Sequence, residues 1–116
     1  MNNTSVLTIP HFLGFYELDT DGTILYSRIK RDGKFEKATS LLVGQNFFDD
    51  VLGYQNSEVF RRRFRRFVND SITHENFIFD YVVSESIIPL KIMLMRITEN
   101  TGSKCQSLII VDMRQN

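Results

Sequence analysis

The chain has 116 residues and balances 14 Lys and Arg against 14 Asp and Glu, with 10 Phe, 4 Tyr and no Trp. That length holds one core rather than two, and the zero formal charge excludes a general attraction for nucleic acid or acidic membranes. Cys105 stands alone, which excludes an internal disulfide and a cysteine-built metal cage and leads to the expectation of a cytoplasmic protein.

Residues 1–11 read as an N-terminal arm with Val6, Leu7 and Ile9 as apolar anchors, and residues 12–116 as a single domain. The arm has no basic leader or apolar h-region, and no stretch approaches the ~20 apolar residues of a membrane span. Phe12 to Leu18 is aromatic and β-prone, and the turn Asp19-Thr20-Asp21-Gly22 joins it to Thr23–Ser27, so a hairpin is predicted. Arg28 to Leu42 is charged and irregular, with Gly33 interrupting any long helix, and short helices or loops are expected there. Asn46 to Leu52 predicts one helical turn capped by Asn46, with Asp49 and Asp50 near its positive end.

Ser57 is the predicted N-cap of a helix running to Asn69. Phe60, Phe64 and Phe67 share one face of that helix with Val68 beside them, and Arg62, Arg65 and Arg66 fall opposite. Arg61 and Arg63 flank the stripe, placed to lay their stems over it. Three β-prone segments follow: His74 to Ser84, Ile88 to Thr98 and Lys104 to Met113. In the first, Phe77, Phe79 and Tyr81 alternate with Ile78, Asp80 and Val82. Glu99-Asn100-Thr101-Gly102 signals a turn between the last two. This order predicts an α+β fold: a five-stranded antiparallel sheet with short helices and one longer helix on one face.

That element order resembles the Per-Arnt-Sim (PAS) topology. FYELDTDGTIL, then VGQNFFDDV, then SEVFRRRF and FDY, are similar to the photoactive yellow protein branch over roughly residues 12 to 113. The resemblance implies a cavity between sheet and helices, lined here by Val51, Leu52, Tyr54, Phe77, Phe79, Tyr81, Ser27 and Arg31. It also implies a cinnamate-type chromophore on a cysteine, but Tyr54 stands at that position, and a phenol cannot form the thioester. The family's pocket Tyr and Glu fall at Ser27 and Arg31, its supporting Thr at Phe35 and its nearby Arg at Lys37. No p-coumaroyl-type chromophore, and no other cofactor, is therefore expected. The aromatics either line a site for a small planar ligand or fill the core, with Tyr54 in the vacated space.

Arg61, Arg62, Arg63, Arg65 and Arg66 hold five of the 14 positive charges, leaving the rest of the chain at net −5. Arginine used this way favours bidentate recognition of carboxylate or phosphate, and a solvated helix face is the alternative. Nucleic acid is disfavoured because the neighbouring aromatics keep core spacing instead of forming stacking platforms. His11 and His74 have no ligand spacing, and Asp19 and Asp21 lack the downstream ligands of a calcium loop. No nucleophile, phosphate-loop or paired-carboxylate motif suggests an enzyme. The sequence reading is a stand-alone, non-catalytic PAS-like adaptor. Its Arg-rich helix docks an acidic protein, and it self-associates as a homodimer through Val6, Leu7 and Ile9 or the exposed sheet face. The alternatives are a small-molecule sensor and, behind it, a nucleic-acid binder.

Overall fold

The computed structural model describes residues 10–31, 33–37 and 40–116. The arm anchors Val6, Leu7 and Ile9 lie outside the described residues. Six strands form one antiparallel sheet: β1 (Gly14–Leu18), β2 (Ile24–Arg31), β3 (Lys34–Phe35), β4 (His74–Val83), β5 (Ser86–Thr101) and β6 (Lys104–Gln115). Their spatial order is β3-β2-β1-β6-β5-β4. A short helix of π geometry, Phe47–Leu52, and a longer helix, α1 (Tyr54–Asn69), complete the fold. None of the described helices is long and apolar enough to cross a membrane.

The sixth strand corrects the expected five. Gly33 sits at φ 76°, a conformation glycine adopts freely, and Lys34 and Phe35 pair back onto Arg31 and Lys30. The Phe35 ring lies beneath two cations, the Arg28 guanidinium at 5.5 Å and the Lys30 ammonium at 5.6 Å. This attraction holds as strand a segment that the charge pattern had marked as helix or loop. The first hairpin forms as read. Asp19 accepts from the Asp21 and Thr23 amides at 2.9 Å each, an Asx turn, while Gly22 takes φ 91°. The β5–β6 connection is tighter than expected, because strand pairing continues to Thr101 and Lys104.

Alternation with period two decides which side of the sheet is core. Tyr16 and Leu18 of β1, Leu90, Ile92 and Leu94 of β5, and Ile109, Val111 and Met113 of β6 are all fully buried. Asn46 caps the π-helical turn as read, its Oδ1 accepting from the Phe48 and Asp49 amides at 3.0 and 3.1 Å. Asp50 returns the bond to the Asn46 amide at 2.8 Å, so each end satisfies the other. α1 begins three residues before the predicted Ser57. Gly53, at φ 82°, joins the two helices without a loop, and Ser57 is buried in the first turn, donating to the Tyr54 carbonyl at 3.3 Å.

Helix and sheet meet through edge-to-face rings. Phe47 lies 4.9 Å from Tyr16 and 5.6 Å from Phe60; Phe48 lies 5.0 Å from Phe64; Phe60 lies 5.4 Å from Phe77 and 5.1 Å from Phe79. Each such pair contributes about 0.5–1.5 kcal/mol beyond the area it buries. At the far end of α1, Arg96 of β5 donates to the carbonyls of Phe67 (2.7 Å), Val68 (2.8 Å) and Ile72 (3.1 Å). One guanidinium thereby neutralises the negative end of the helix dipole and occupies its open carbonyls.

Candidate functional site

The buried stripe of α1 is Phe60, Phe64 and Phe67, and its spacing dictates where the arginines go. Arg61 lies at one margin, its guanidinium 5.3 Å from the centre of the Phe48 ring and hydrogen-bonded to Asp49. Arg63 lies at the other, 4.3 Å from the centre of the Phe77 ring and bonded to Glu75 at 2.7 Å. Both fasten the helix to its neighbours, Arg61 to the π-helical turn and Arg63 to β4, so they are engaged within the fold. Arg66 lies 3.9 Å from Glu75, and Arg62 meets Glu58 one turn earlier at 3.2 Å. The latter pair is exposed on both sides, and such pairs contribute at most ~1 kcal/mol. Arg65 is exposed, with no ion-pair partner among the described residues. The run therefore divides into two structural arginines and three, Arg62, Arg65 and Arg66, that present charge to solvent.

Beside the solvent-facing set runs an open groove of about 550 Å³, lined by Tyr54, Gln55, Glu58, Arg61, Arg62 and Arg65 among others. Tyr54, Glu58, Arg61 and Arg65 are spaced by four, three and four residues and so share one helix face. That geometry overturns the core-filling reading of Tyr54. Its ring is 96% exposed, because the early start of α1 puts it on the side away from the phenylalanine stripe. The groove combines a free phenol face, guanidinium forks and the carboxylates of Asp49 and Glu58.

Of the remaining positions assigned to a cavity, only Phe77 and Phe79 share the lining of a groove, the one between α1 and β4. Leu52 and Phe79 are buried, and Val51, Phe77 and Tyr81 pack against the same core from its margins. Arg31 is exposed and lies 3.6 Å from Glu36, while Phe35 and Lys37 are also exposed. Of the five positions that the family resemblance ties to a chromophore, only Ser27 faces the interior. It is fully buried opposite Tyr16, and its hydroxyl has no hydrogen-bond partner among the described residues. Tyr16 itself donates its phenol proton to the Phe12 carbonyl at 2.5 Å, and burial pushes its pKa above the ordinary tyrosine value. His11, His74 and Cys105 are exposed.

The groove between α1 and β4, about 350 Å³, is lined by Phe77 and Phe79 together with Asn56, Val59, Arg63, Ile78 and Asp80 among others. Asn56 was not singled out from the sequence. Its side-chain amide donates to the Val82 carbonyl at 3.0 Å and accepts from the Val82 amide at 2.8 Å. It imitates a neighbouring strand at that residue. An Asn amid a polar helix start gives no sign of this, since its partner is 26 residues away.

Among solved structures, the photoactive yellow protein domain of the sensor histidine kinase Ppr from Rhodospirillum centenum is similar to this chain. The likeness covers 85% of this chain and 83% of that one, at 23% identity and a TM-score of 0.53. It shows that the chain has a PAS-like fold. No family profile and no curated protein matches the sequence.

Proposed function

We propose that this PAS-like fold serves as a non-catalytic signalling module that works by association with an acidic protein surface, through Arg62, Arg65 and Arg66 and the adjoining Tyr54. The observation that carries the reading is the division of the arginine run. Arg61 and Arg63 are held by Asp49 and Glu75, whereas the other three add charge to the surface and little to stability. An exposed tyrosine beside guanidinium groups has the composition of a binding hot spot. Asp49 and Glu58 in the same groove repel a uniformly negative phosphate chain, so a protein surface of mixed charge fits better than nucleic acid.

The test is fluorescence anisotropy with a labelled peptide of mixed charge and net acidic character, a Glu-Glu-Lys repeat, comparing the native chain with Arg62→Glu/Arg65→Glu/Arg66→Glu. The expected result is at least about a tenfold loss of affinity with a melting temperature lowered by no more than about 8 °C, since the reversed charges face Glu58 and Glu75. Equal binding by the variant, or tighter binding of a single-stranded oligonucleotide than of the peptide, refutes the assignment.

A second reading rests on Ser27. A fully buried hydroxyl without a partner is costly unless a water or a ligand atom satisfies it. In this reading the chain is a sensor of a small apolar or aromatic molecule, and native mass spectrometry of protein purified from cells reports the added mass. A clean apo mass together with unchanged stability in Ser27→Ala refutes it.

A further inference from the structure

The outer edge of β4 has an unusual protection pattern. Both main-chain groups of Val82 point away from β5, since they bond the side chain of Asn56. In an antiparallel ladder this direction repeats every second residue. The amides and carbonyls of Asp80, Ile78 and Asn76 therefore point off the edge as well, while those of Phe79 and Phe77 pair with Leu90 and Ile92. Pro89, opposite Asp80, agrees with this parity, because its missing N–H lies on the side away from β4. Among the described residues no group meets the edge at Asn76, Ile78 or Asp80, and all three are exposed. Proteins ordinarily protect such an edge with charge, proline or a bulge. Here the protection is concentrated at one end, in Asn56.

We propose that this edge pairs with the same edge of a second copy of the chain, joining two sheets into one across a two-fold axis at Ile78. The argument for a second copy is in the strand itself. Phe77-Ile78-Phe79 reads alike in both directions about Ile78, and the similarly shaped Asn76 and Asp80 flank it. Antiparallel self-pairing centred there sets Ile78 against Ile78, Phe77 against Phe79, and the Asn76 amide against the Asp80 carboxylate. No like charges meet, and hydrophobic and amide–acid cross-strand pairs are favourable. The ladder runs from Asn76 to Asp80 and stops at Val82, where Asn56 already occupies the next pair. Val59 on α1 and Ile78 on the strand, 64% and 51% exposed, line the groove beside this edge and lose solvent on pairing. The zero net charge of the chain leaves no general repulsion to oppose it. This interface is separate from the Arg62, Arg65 and Arg66 surface, and either assignment stands without the other.

Sedimentation equilibrium across a concentration series, combined with residue-resolved amide exchange, tests the proposal. The expected result is a dimer whose formation slows exchange at Asn76, Ile78 and Asp80, leaving Phe77 and Phe79 protected at every concentration. Ile78→Pro removes a donor only on the free edge, where proline is tolerated. It should weaken dimerisation at least about a hundredfold without lowering the melting temperature at concentrations where the native chain is monomeric as well. Should that variant fold poorly, Ile78→Lys places like charges on the axis at a half-exposed position and is expected to have the same effect. A chain that stays monomeric overturns the proposal. So does a dimer whose dissociation constant is unchanged by a folded Ile78 variant, and so do edge amides whose exchange is independent of concentration.

Discussion

Replacing Arg96 with methionine keeps most of the side-chain length and removes the guanidinium that closes α1. Three carbonyls lose their donor, those of Phe67, Val68 and Ile72, at 2.7, 2.8 and 3.1 Å. The stacking of that cation on the Phe67 ring, 5.5 Å to its centre, is lost as well. A hydrogen bond to a charged group contributes about 1.5–3 kcal/mol, but three bonds from one partly exposed group do not add. Water also reaches some of the vacated carbonyls, so the net loss should be about 3 kcal/mol. Against a total stability of about 5–15 kcal/mol, that is a large fraction. At a urea slope of about 1.5 kcal/mol/M the unfolding midpoint should fall by about 2 M. Arg96→Lys, a point charge without the planar fork, should recover about half. A midpoint shift below about 0.5 M for the methionine variant would show that the helix end is held by packing alone.

Two further substitutions test the remaining joints of the fold. A Cβ added at Gly22 would lie 2.8 Å from the Phe48 ring, at φ 91°, and that ring is buried against Phe60 and Phe64. Gly22→Ala should therefore cost about 2–3 kcal/mol and lower the melting temperature by about 8–12 °C; a drop under about 3 °C would contradict the close approach. Tyr16→Phe should cost about 1 kcal/mol at neutral pH through the lost bond to Phe12. Because burial raises the Tyr16 pKa in the folded state, its neutral form is favoured there. The associated stability is fully present below the unfolded value of about 10 and is lost as pH rises beyond it. Urea midpoints at pH 8, 10 and 11 should fall more steeply for the native chain than for Tyr16→Phe, and equal slopes would rule out a buried neutral phenol.

Local chemistry made much of the fold legible. The Asp19–Gly22 turn, the Asn46 cap, the phenylalanine stripe and the alternation of β4 each depend on residues within a few positions of one another. The stripe also fixed which arginines flank it and which face water, since 100° per residue leaves little freedom. Propensity did not reveal β3. Its two residues become a strand only because β2 offers a free edge and two cations to Phe35.

The candidate sites were legible only in part, for the same reason. The sequence located the arginine cluster, but which of its charges are free depended on Asp49 and Glu75, each 12 residues from its partner. It placed Tyr54 in a cavity, whereas the turn at Gly53 starts α1 early and sends that ring to solvent. Asn56 on Val82 and Arg96 on the end of α1 left no sequence trace, because each acts on a main-chain group, and every residue carries one. By itself, then, the sequence determined every element except β3, the buried stripe of α1 and the PAS-like order. The tertiary structure alone decided the pairing of charges, the capping of α1 and the open edge of β4, since these depend on directions in space that residue spacing along the chain does not encode.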